Sequence, residues 1–525
     1  MRKTRTMSDA RLIEDYLPIQ AISAEASREK SVRKGHISTL HLWWARRPLV
    51  ACRAAVYGAL VPTSRFVPEK GPDNKRQSLG RANAAKFVER LCKYPGDPAV
   101  LSEAQKHILE AHAERLTRET GRKVTIEDID VGRAPRPKVL DMFAGGGAIP
   151  LEALRLGCEA YALDLNPVAH IIELCTMVYP QNFGKPDHTA EGMTGPKNAE
   201  GEPTWGGLAA EVRYWGDRVL KKAKAEIGDL YPLIPDPEFK DGETGVQADW
   251  LNEHGTDEGL PGYLMPVAYR WTRTVTCKNP NCRATVPLVK QTWLCKKKGR
   301  YVALKMVAPK GEKRVRFDIV KAGAESELTV DPSIGSTAGN ATCFFCNTVA
   351  DADYVQQQGV AGHVGTQLMA VVCSRRGSKG KVYVSGDDVP QTLTSDGGSV
   401  RKRIEVVCES SGLTVPSEPI SPLRPSPNAR GLSGLTRHGI TDFGMMFTSR
   451  QQLLLLSMCA AVRELKPGDP HFKAVATYLG LLIGRITNQN CAFAVYHTAR
   501  ETIEGPMGDK KVPMVWDFPE ANPFS

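Results

Sequence analysis

The sequence predicts an α/β protein: a Rossmann-like strand–helix–strand start, incomplete as a sheet, carrying a β-rich, cysteine-bearing insertion. Three observations predict it. Pro137 to Phe143 is an apolar run that ends in Ala144-Gly145-Gly146-Gly147, Ile149 to Leu156 has helical spacing with Gly157 at its stop, and Tyr161 to Leu165 is a second apolar run carrying an acid. From Tyr269 to Cys408 the hydrophobic period becomes that of strands, as in Tyr301 to Val307 and Lys381 to Val384. Two close cysteine pairs, Cys277/Cys282 and Cys343/Cys346, lie inside that stretch.

The elements follow in order. Residues 1–63 read as a helical segment, with 1–6 as a disordered extension before Met7, and residues 64–136 as a charged helical insertion (Ala82 to Leu91, Ser102 to Leu116). The strand–helix–strand region spans 137–268, with a loop over 180–205 and a long helix from Leu208 to Leu230. The β-domain covers 269–408, and a Ser-, Pro-, Gly- and Asn-rich linker covers 409–435. Helical sequence fills 436–525, with helices Ser449 to Leu465 and Pro470 to Ile486 and Thr448 or Ser449 as the first N-cap.

With 525 residues the chain has ample core for two or three domains, and 42% hydrophobic and 24% charged residues are ordinary for a soluble protein. The longest apolar stretch, Leu453 to Val462, is too short to cross a bilayer, and Met1-Arg2-Lys3-Thr4-Arg5 opens no signal peptide. The expected location is cytoplasmic, without a membrane partner. A net charge of +11 suits a polyanion such as DNA. Between Lys290 and Arg316 basic residues face a single acid, Glu312, which makes Lys296, Lys297, Lys298 and Arg300 candidate phosphate contacts; a solvated β-face is the alternative.

Thirteen cysteines without a secretory signal argue against a disulfide framework. Nine are scattered, mostly in apolar runs, and read as small buried hydrophobes. The four in pairs have another chemistry. Tetrahedral zinc takes four thiolates, and two knuckles at hairpin tips can each donate two, so Cys277, Cys282, Cys343 and Cys346 form a candidate structural zinc ribbon expanded by intervening strands. Cys295 is a competitor without a close partner, and Cys343-x-x-Cys346 does not open a helix as a redox pair would.

The triple-glycine turn lets the backbone bend tightly and approach a ligand, and Asp164 falls 23 positions after Asp141, about where a Rossmann-type unit places its ribose-binding acid. A glycine-rich turn that binds nothing is the alternative. Upstream, Gly35 to Leu49 packs Trp43 and Trp44, Arg46 and Arg47, His36 and His41 into one stretch, with Pro48 opening a helix to Leu60. The two histidines read as structural, and a core-capping tryptophan pair with surface arginines is the other reading of the stretch.

Asp141-x-Phe143-x-Gly145-x-Gly147 resembles the S-adenosylmethionine (AdoMet) motif of amino-methylating DNA methyltransferases. The resemblance implies that Asp141, Phe143, Ala144, Gly145, Gly147 and Asn166 line the AdoMet pocket and that Asp164 holds its ribose. Arg47-Pro48-Leu49 resembles the Lys-Pro element of such enzymes, which implies Thr39, Trp43, Trp44 and Arg47 beside the cofactor's carboxylate and adenine. Together with Ile13 to Pro18, His41-x-Trp43-Trp44-Ala45-Arg46-Arg47, Phe447 to Gln451 and Trp516 to Phe524, these residues resemble the zinc-ribbon-containing, adenine-specific DNA methylases of the DUF1156 type, found near anti-phage genes.

That resemblance implies a class I AdoMet-dependent methyltransferase fold, AdoMet and structural Zn2+ as cofactors, DNA as partner, and methylation of an adenine exocyclic amine in phage defence or restriction-modification, beside other defence proteins. Such enzymes orient the amine with an Asp-Pro-Pro-Tyr-type tetrapeptide. None occurs here; Asn522-Pro523-Phe524 is the nearest string. The expectation is therefore a carboxy-terminally incomplete sheet, a chain inactive alone, and a companion chain carrying the catalytic half. A non-catalytic zinc-ribbon DNA-binding or complex-forming subunit, and an RNA methyltransferase, are the alternatives.

Overall fold

The computed structural model describes residues 10–32, 35–185, 201, 206–239, 262–333, 335–336, 339–375, 377–390, 393, 398–428, 431–465, 470–508 and 512–525. The chain divides into two compact units, Met1–Glu211 and Val212–Ser525. The extension expected over 1–6 and most of the loop expected over 180–205 lie outside the described residues; residues Tyr179–Phe183, at the start of that loop, are helical. No helix among the described residues is long and apolar enough to cross a membrane.

The first unit opens with six helices: α1 (Leu12–Asp15), α2 (Ile19–Lys30), α3 (Leu49–Leu60), α4 (Asp73–Leu91), α5 (Pro98–Thr120) and α6 (Ile126–Asp130). Local chemistry sets several of their ends. At α5 the Asp97 side chain accepts the Ala99 amide, Pro98 takes the first helical position, and Gly121 closes the helix at φ +68°. Pro48 is the N-cap of α3 rather than its first residue and offers no side-chain cap. The α3 amino terminus is capped from α2 instead: Glu29, buried, accepts the amides of Leu49 at 2.8 Å and Val50 at 3.0 Å. The core of this unit gathers Val50, Tyr57, Phe87, Val88, Leu91, Ile108, Ala153 and Leu156.

Strand β1 (Lys138–Asp141), α7 (Ala148–Arg155) and β2 (Glu159–Ala162) follow, and the two strands are parallel with Leu140 opposite Tyr161 and Asp141 opposite Ala162. Both strands are shorter than their apolar runs, and β2 starts two residues before Tyr161 because pairing with Lys138, rather than hydrophobicity, decides where it begins. Val139 and Ala160 pack on the helical core. On the other face Leu140 is 58% and Tyr161 44% exposed. α8 (Pro167–Glu173) runs on through one π-helical turn, Leu174–Val178.

The second unit is built on an antiparallel sheet. The strands are β3 (Ile234–Pro235), β4 (Tyr263–Thr276), β5 (Thr285–Pro287), β6 (Trp293–Lys297), β7 (Arg300–Val307), β8 (Arg316–Ala322), β9 (Ala341–Thr342), β10 (Val349–Ala350), β11 (Gly365–Ser374), β12 (Lys381–Ser385), β13 (Val495–His497), β14 (Thr502–Glu504) and β15 (Asp517–Ala521). The main sheet has the order β12-β11-β4-β15, with β3 and β5 also on β4. The β6-β7-β8 meander packs Leu294, Val302, Leu304 and Phe317 against Ala268, Met369, Ala370 and Val372 of the main sheet.

Two expectations are corrected here. Strand β4 begins at Tyr263, ahead of Tyr269, with β3 (Ile234–Pro235) already paired on it, and the closing segment is not all helical: β15 pairs with β4, Asp517 opposite Thr272 and Ala521 opposite Ala268. The two helices before it run Ser449–Arg463 and Pro470–Gln489. Thr448 caps the first in a reciprocal box with Gln451. From that helix Arg450 reaches Glu520 of β15 with two bonds, 2.6 and 2.9 Å, under the rings of Tyr231 and Tyr269.

In the first unit Arg53 and Glu152 are both fully buried and bonded at 2.6 Å. Arg53→Met leaves Glu152 with only the rim guanidinium of Arg155, so the first unit loses about 3–5 kcal/mol of stability. Urea denaturation of variant and parent checks this.

Candidate functional site

The triple-glycine turn sits at the carboxyl ends of β1 and β2, where parallel sheets place ligands. Asp141 Oδ1 accepts the Phe143 amide at 3.1 Å. Asp164 spans the turn: Oδ2 accepts the Gly145 amide at 2.9 Å and Oδ1 the Asn166 amide at 2.9 Å. These backbone bonds, that of Asn166 first, hold its carboxyl below the usual range. Asn166 in turn caps α8, accepting the Val168 amide just before Pro167. Each Asp164 oxygen keeps lone-pair capacity for a further donor. Ala144 donates its amide to Leu163 O, which seats the start of the turn on β2's extension.

Glycine is required at Gly145 twice over. Its φ is +54°, and a Cβ there would stand 2.6 Å from Nε1 of Trp43. Trp43 thus lies flat on one side of the turn, with Gly146 also against it. His36, Arg46, Arg47, Ala144 and Gly146 line the cleft around it, about 40 Å³, too little for a nucleoside. The open side is the one where Phe143 is 86% and Leu165 99% exposed. Of the residues expected beside the cofactor, Trp43 and Arg47 therefore do approach the turn. Trp44 is 56% exposed, and Thr39 donates to His36 O at 2.6 Å. His36 is structural: its ring bonds Glu29 at 2.9 Å and Ser38 at 2.7 Å.

Sequence reasoning missed Glu173. It ends α8, and its Cγ lies 3.5 Å from where a Cβ on Gly147 would be. Its side chain is buried, and Oε1 has no hydrogen-bond partner. Burial, then the charges of Asp164 and Asp141, push its carboxyl up to about 7. The π-helical turn begins at the next residue, a distortion frequent at functional sites. A lone acid inside the apolar run from Val168 to Met177 was the available signal.

The cysteine pairs converge. Cys277 and Cys282 form the tip of the β4-β5 hairpin, Cys343 and Cys346 that of the β9-β10 hairpin. All four sulfurs lie within 4.8 Å of one another, close enough to hold a metal ion. Sγ of Cys277 is 3.6 Å from that of Cys346, and Cys282 is 3.8 Å from Cys343. Arg283 and Asn347, each directly after its pair, adopt φ of +55° and +60°. The Thr348 hydroxyl, 3.3 Å from Cys346, holds that thiol down to about 6. Cys295 is buried elsewhere, in the core between the two sheets.

Three of the four expected phosphate contacts have acidic partners within the fold. Lys296 pairs with Glu325 at 2.7 Å, while Lys297 and Arg300 both pair with Glu501, whose carboxylate is nearly buried. Arg314 and Arg316 likewise pair with Asp387 and Asp388. These acids come from other segments of the chain, so part of the run that looked unopposed in sequence is paired within the fold. Lys298 is exposed at the β6-β7 turn.

A family model described as a protein of unknown function, DUF1156, matches residues 16–87. The matched span contains α2, the Trp43–Arg47 stretch, α3 and most of α4, the elements that hold one wall of the glycine turn. This supports a DUF1156-type family for the chain. No curated protein and no solved structure matches.

The raised carboxyl of Glu173 sets a pH dependence. Between its ordinary value of 4.5 and about 7 the folded chain binds more proton than the unfolded chain, so this group lowers stability as pH rises through that window. Glu173→Gln removes the term. Its melting temperature exceeds the parent's at pH 8, and the two converge near pH 5, as thermal scans across pH will show.

Proposed function

We propose that this chain is the AdoMet-binding, zinc-holding portion of an adenine-amine DNA methyltransferase serving phage defence or restriction-modification in the cytoplasm. The observation that carries the reading is the pinned carboxylate of Asp164, spanning the glycine turn at the carboxyl ends of two parallel strands. Its spare lone pairs suit a ribose hydroxyl pair, and the exposed Phe143 and Leu165 suit an adenine face. The buried, unpartnered Glu173 beside the turn fits a positively charged ligand. When bound, AdoMet supplies an electrophilic methyl group on its sulfonium. The chain's residues hold the nucleoside and, through Trp43, close the far side of the turn.

The metal is zinc in this reading. A tetrahedral zinc with bonds of about 2.3 Å separates its sulfurs by about 3.8 Å, against the 3.6 and 3.8 Å of the two cross-hairpin pairs. Four protein ligands leave no open position, so the ion folds the hairpins together and performs no chemistry.

The catalytic tetrapeptide belongs to a companion polypeptide or segment. Parallel sheets are covered on both faces, and here Leu140, Met142, Tyr161 and Leu163 expose one apolar face of β1 and β2 and their extensions. The same face supports the second reading, a complex-forming subunit without catalysis of its own.

Zinc-replete chain is expected to bind AdoMet by calorimetry and to hold one zinc per chain by elemental analysis. Cys343→Ser loses the zinc and the cooperative unfolding of the hairpin core around Val286, Leu288 and Val355, while AdoMet binding survives. Absence of heat from AdoMet, with or without a companion chain, sinks the methyltransferase reading.

A further inference from the structure

Three acids converge on the glycine turn, and they are not equivalent. Asp141 accepts the Phe143 amide through Oδ1, and each oxygen of Asp164 accepts one backbone amide, of Gly145 and of Asn166. These two carboxylates shape the turn. Glu173 makes no such bond with Oε1, which is buried and unpartnered. The charges that act on it come from the two aspartates, so the chain supplies it with repulsion and no counter-ion. Among the described residues, the group whose atoms come close enough to hold a metal is the cysteine cluster, not these acids. An uncompensated buried carboxylate is costly, and such a group persists where something else supplies the opposite charge.

Position identifies that charge. Glu173 packs under Gly147, the last glycine of the turn, with Thr176 and Met177 beside it. Asp164 and the exposed Phe143 and Leu165 mark the nucleoside side of the site. A nucleoside with its sugar at Asp164 and its 5′ substituent toward Gly147 brings that substituent to the part of the turn where Glu173 packs. We propose that Glu173 is a ligand-positioning residue whose carboxylate is the counter-charge for the cationic methionine end of the bound nucleoside. This rests on the reading of the glycine turn as an AdoMet site and adds to it the group that selects a charged ligand over a neutral one. The site thereby discriminates by charge at the 5′ end while the ribose and adenine contacts stay common to all adenosyl ligands. The free protein carries the electrostatic penalty, and ligand binding relieves it.

The test uses the full zinc-loaded chain and three adenosyl ligands at pH 8, by calorimetry. AdoMet carries both the sulfonium and the ammonium, S-adenosylhomocysteine the ammonium alone, and 5′-methylthioadenosine neither. Glu173→Gln is expected to weaken AdoMet by about tenfold or more and to leave methylthioadenosine within about twofold. A loss shared with S-adenosylhomocysteine places the carboxylate at the ammonium; a loss confined to AdoMet places it at the sulfonium. The same variant melts higher than the parent without ligand, which a merely structural glutamate would not do. Equal losses for AdoMet and methylthioadenosine, or none, overturn the assignment. A parent chain that binds none of the three overturns the glycine-turn reading first, and a parent that binds all three with an unmoved variant overturns only the role of Glu173.

Discussion

The buried pair between Arg53 and Glu152 holds the first unit's site in place. Every donor nitrogen of Arg53 is used: Nε and one terminal nitrogen bond Glu152, that same terminal nitrogen also bonds the Pro95 carbonyl, and the other terminal nitrogen bonds the carbonyls of Leu91 and Lys93. A guanidinium with all its forks engaged fixes angle as well as distance. Glu152 lies in α7, and α7 begins immediately after Gly147, so the pair positions the glycine turn against α3. A second buried carboxylate completes the frame. Glu29 caps α3 and holds His36, which anchors the stretch that leads to Trp43. Both walls of the turn thus hang from α3, the element at the centre of the DUF1156 match.

The second unit solves a different problem. One cysteine pair closes the β4-β5 hairpin and the other joins the two-residue strands β9 and β10, with Val286, Leu288 and Val355 packed around them. Four sulfurs converge there, close enough to hold a metal ion. Elsewhere in the unit charges do similar work at a distance. Arg450 joins its helix to β15 through Glu520, whose other oxygen bond comes from Trp271 of β4. Lys297 and Arg300 bring the β6-β7 hairpin to Glu501. Part of the positive charge in this unit is therefore engaged in internal pairs, and the net basic balance of the chain is a weak guide to where a polyanion would sit.

Features that lower stability cluster on the glycine turn. An apolar sheet face stands open, a carboxylate is buried without a partner, and a π-helical turn interrupts a helix, all within one small region. Elsewhere in the first unit the buried carboxylates of Glu29 and Glu152 are both hydrogen-bonded, and α3, α5 and α6 have capped amino termini. Concentrated departures of this kind mark places where sequence was selected for something other than folding.

The sequence by itself determined what depends on neighbours along the chain. The order strand, glycine turn, helix, strand, acid was legible because backbone permissiveness, helical periodicity and stop signals act within a few residues. The cysteine knuckles were legible because a pair's spacing defines its turn, and the Thr448 cap because the box closes within one helical turn. Only the tertiary structure decided which charges face water and which face each other. Lys297 and Glu501 are too far apart in the chain for any local pattern to pair them, and Asp517 to Ala521, expected within a helical segment, is a strand because β4 offers it a partner. The same holds for Glu173. Its setting, beneath Gly147 and near the charges of Asp141 and Asp164, joins residues from separate parts of the chain.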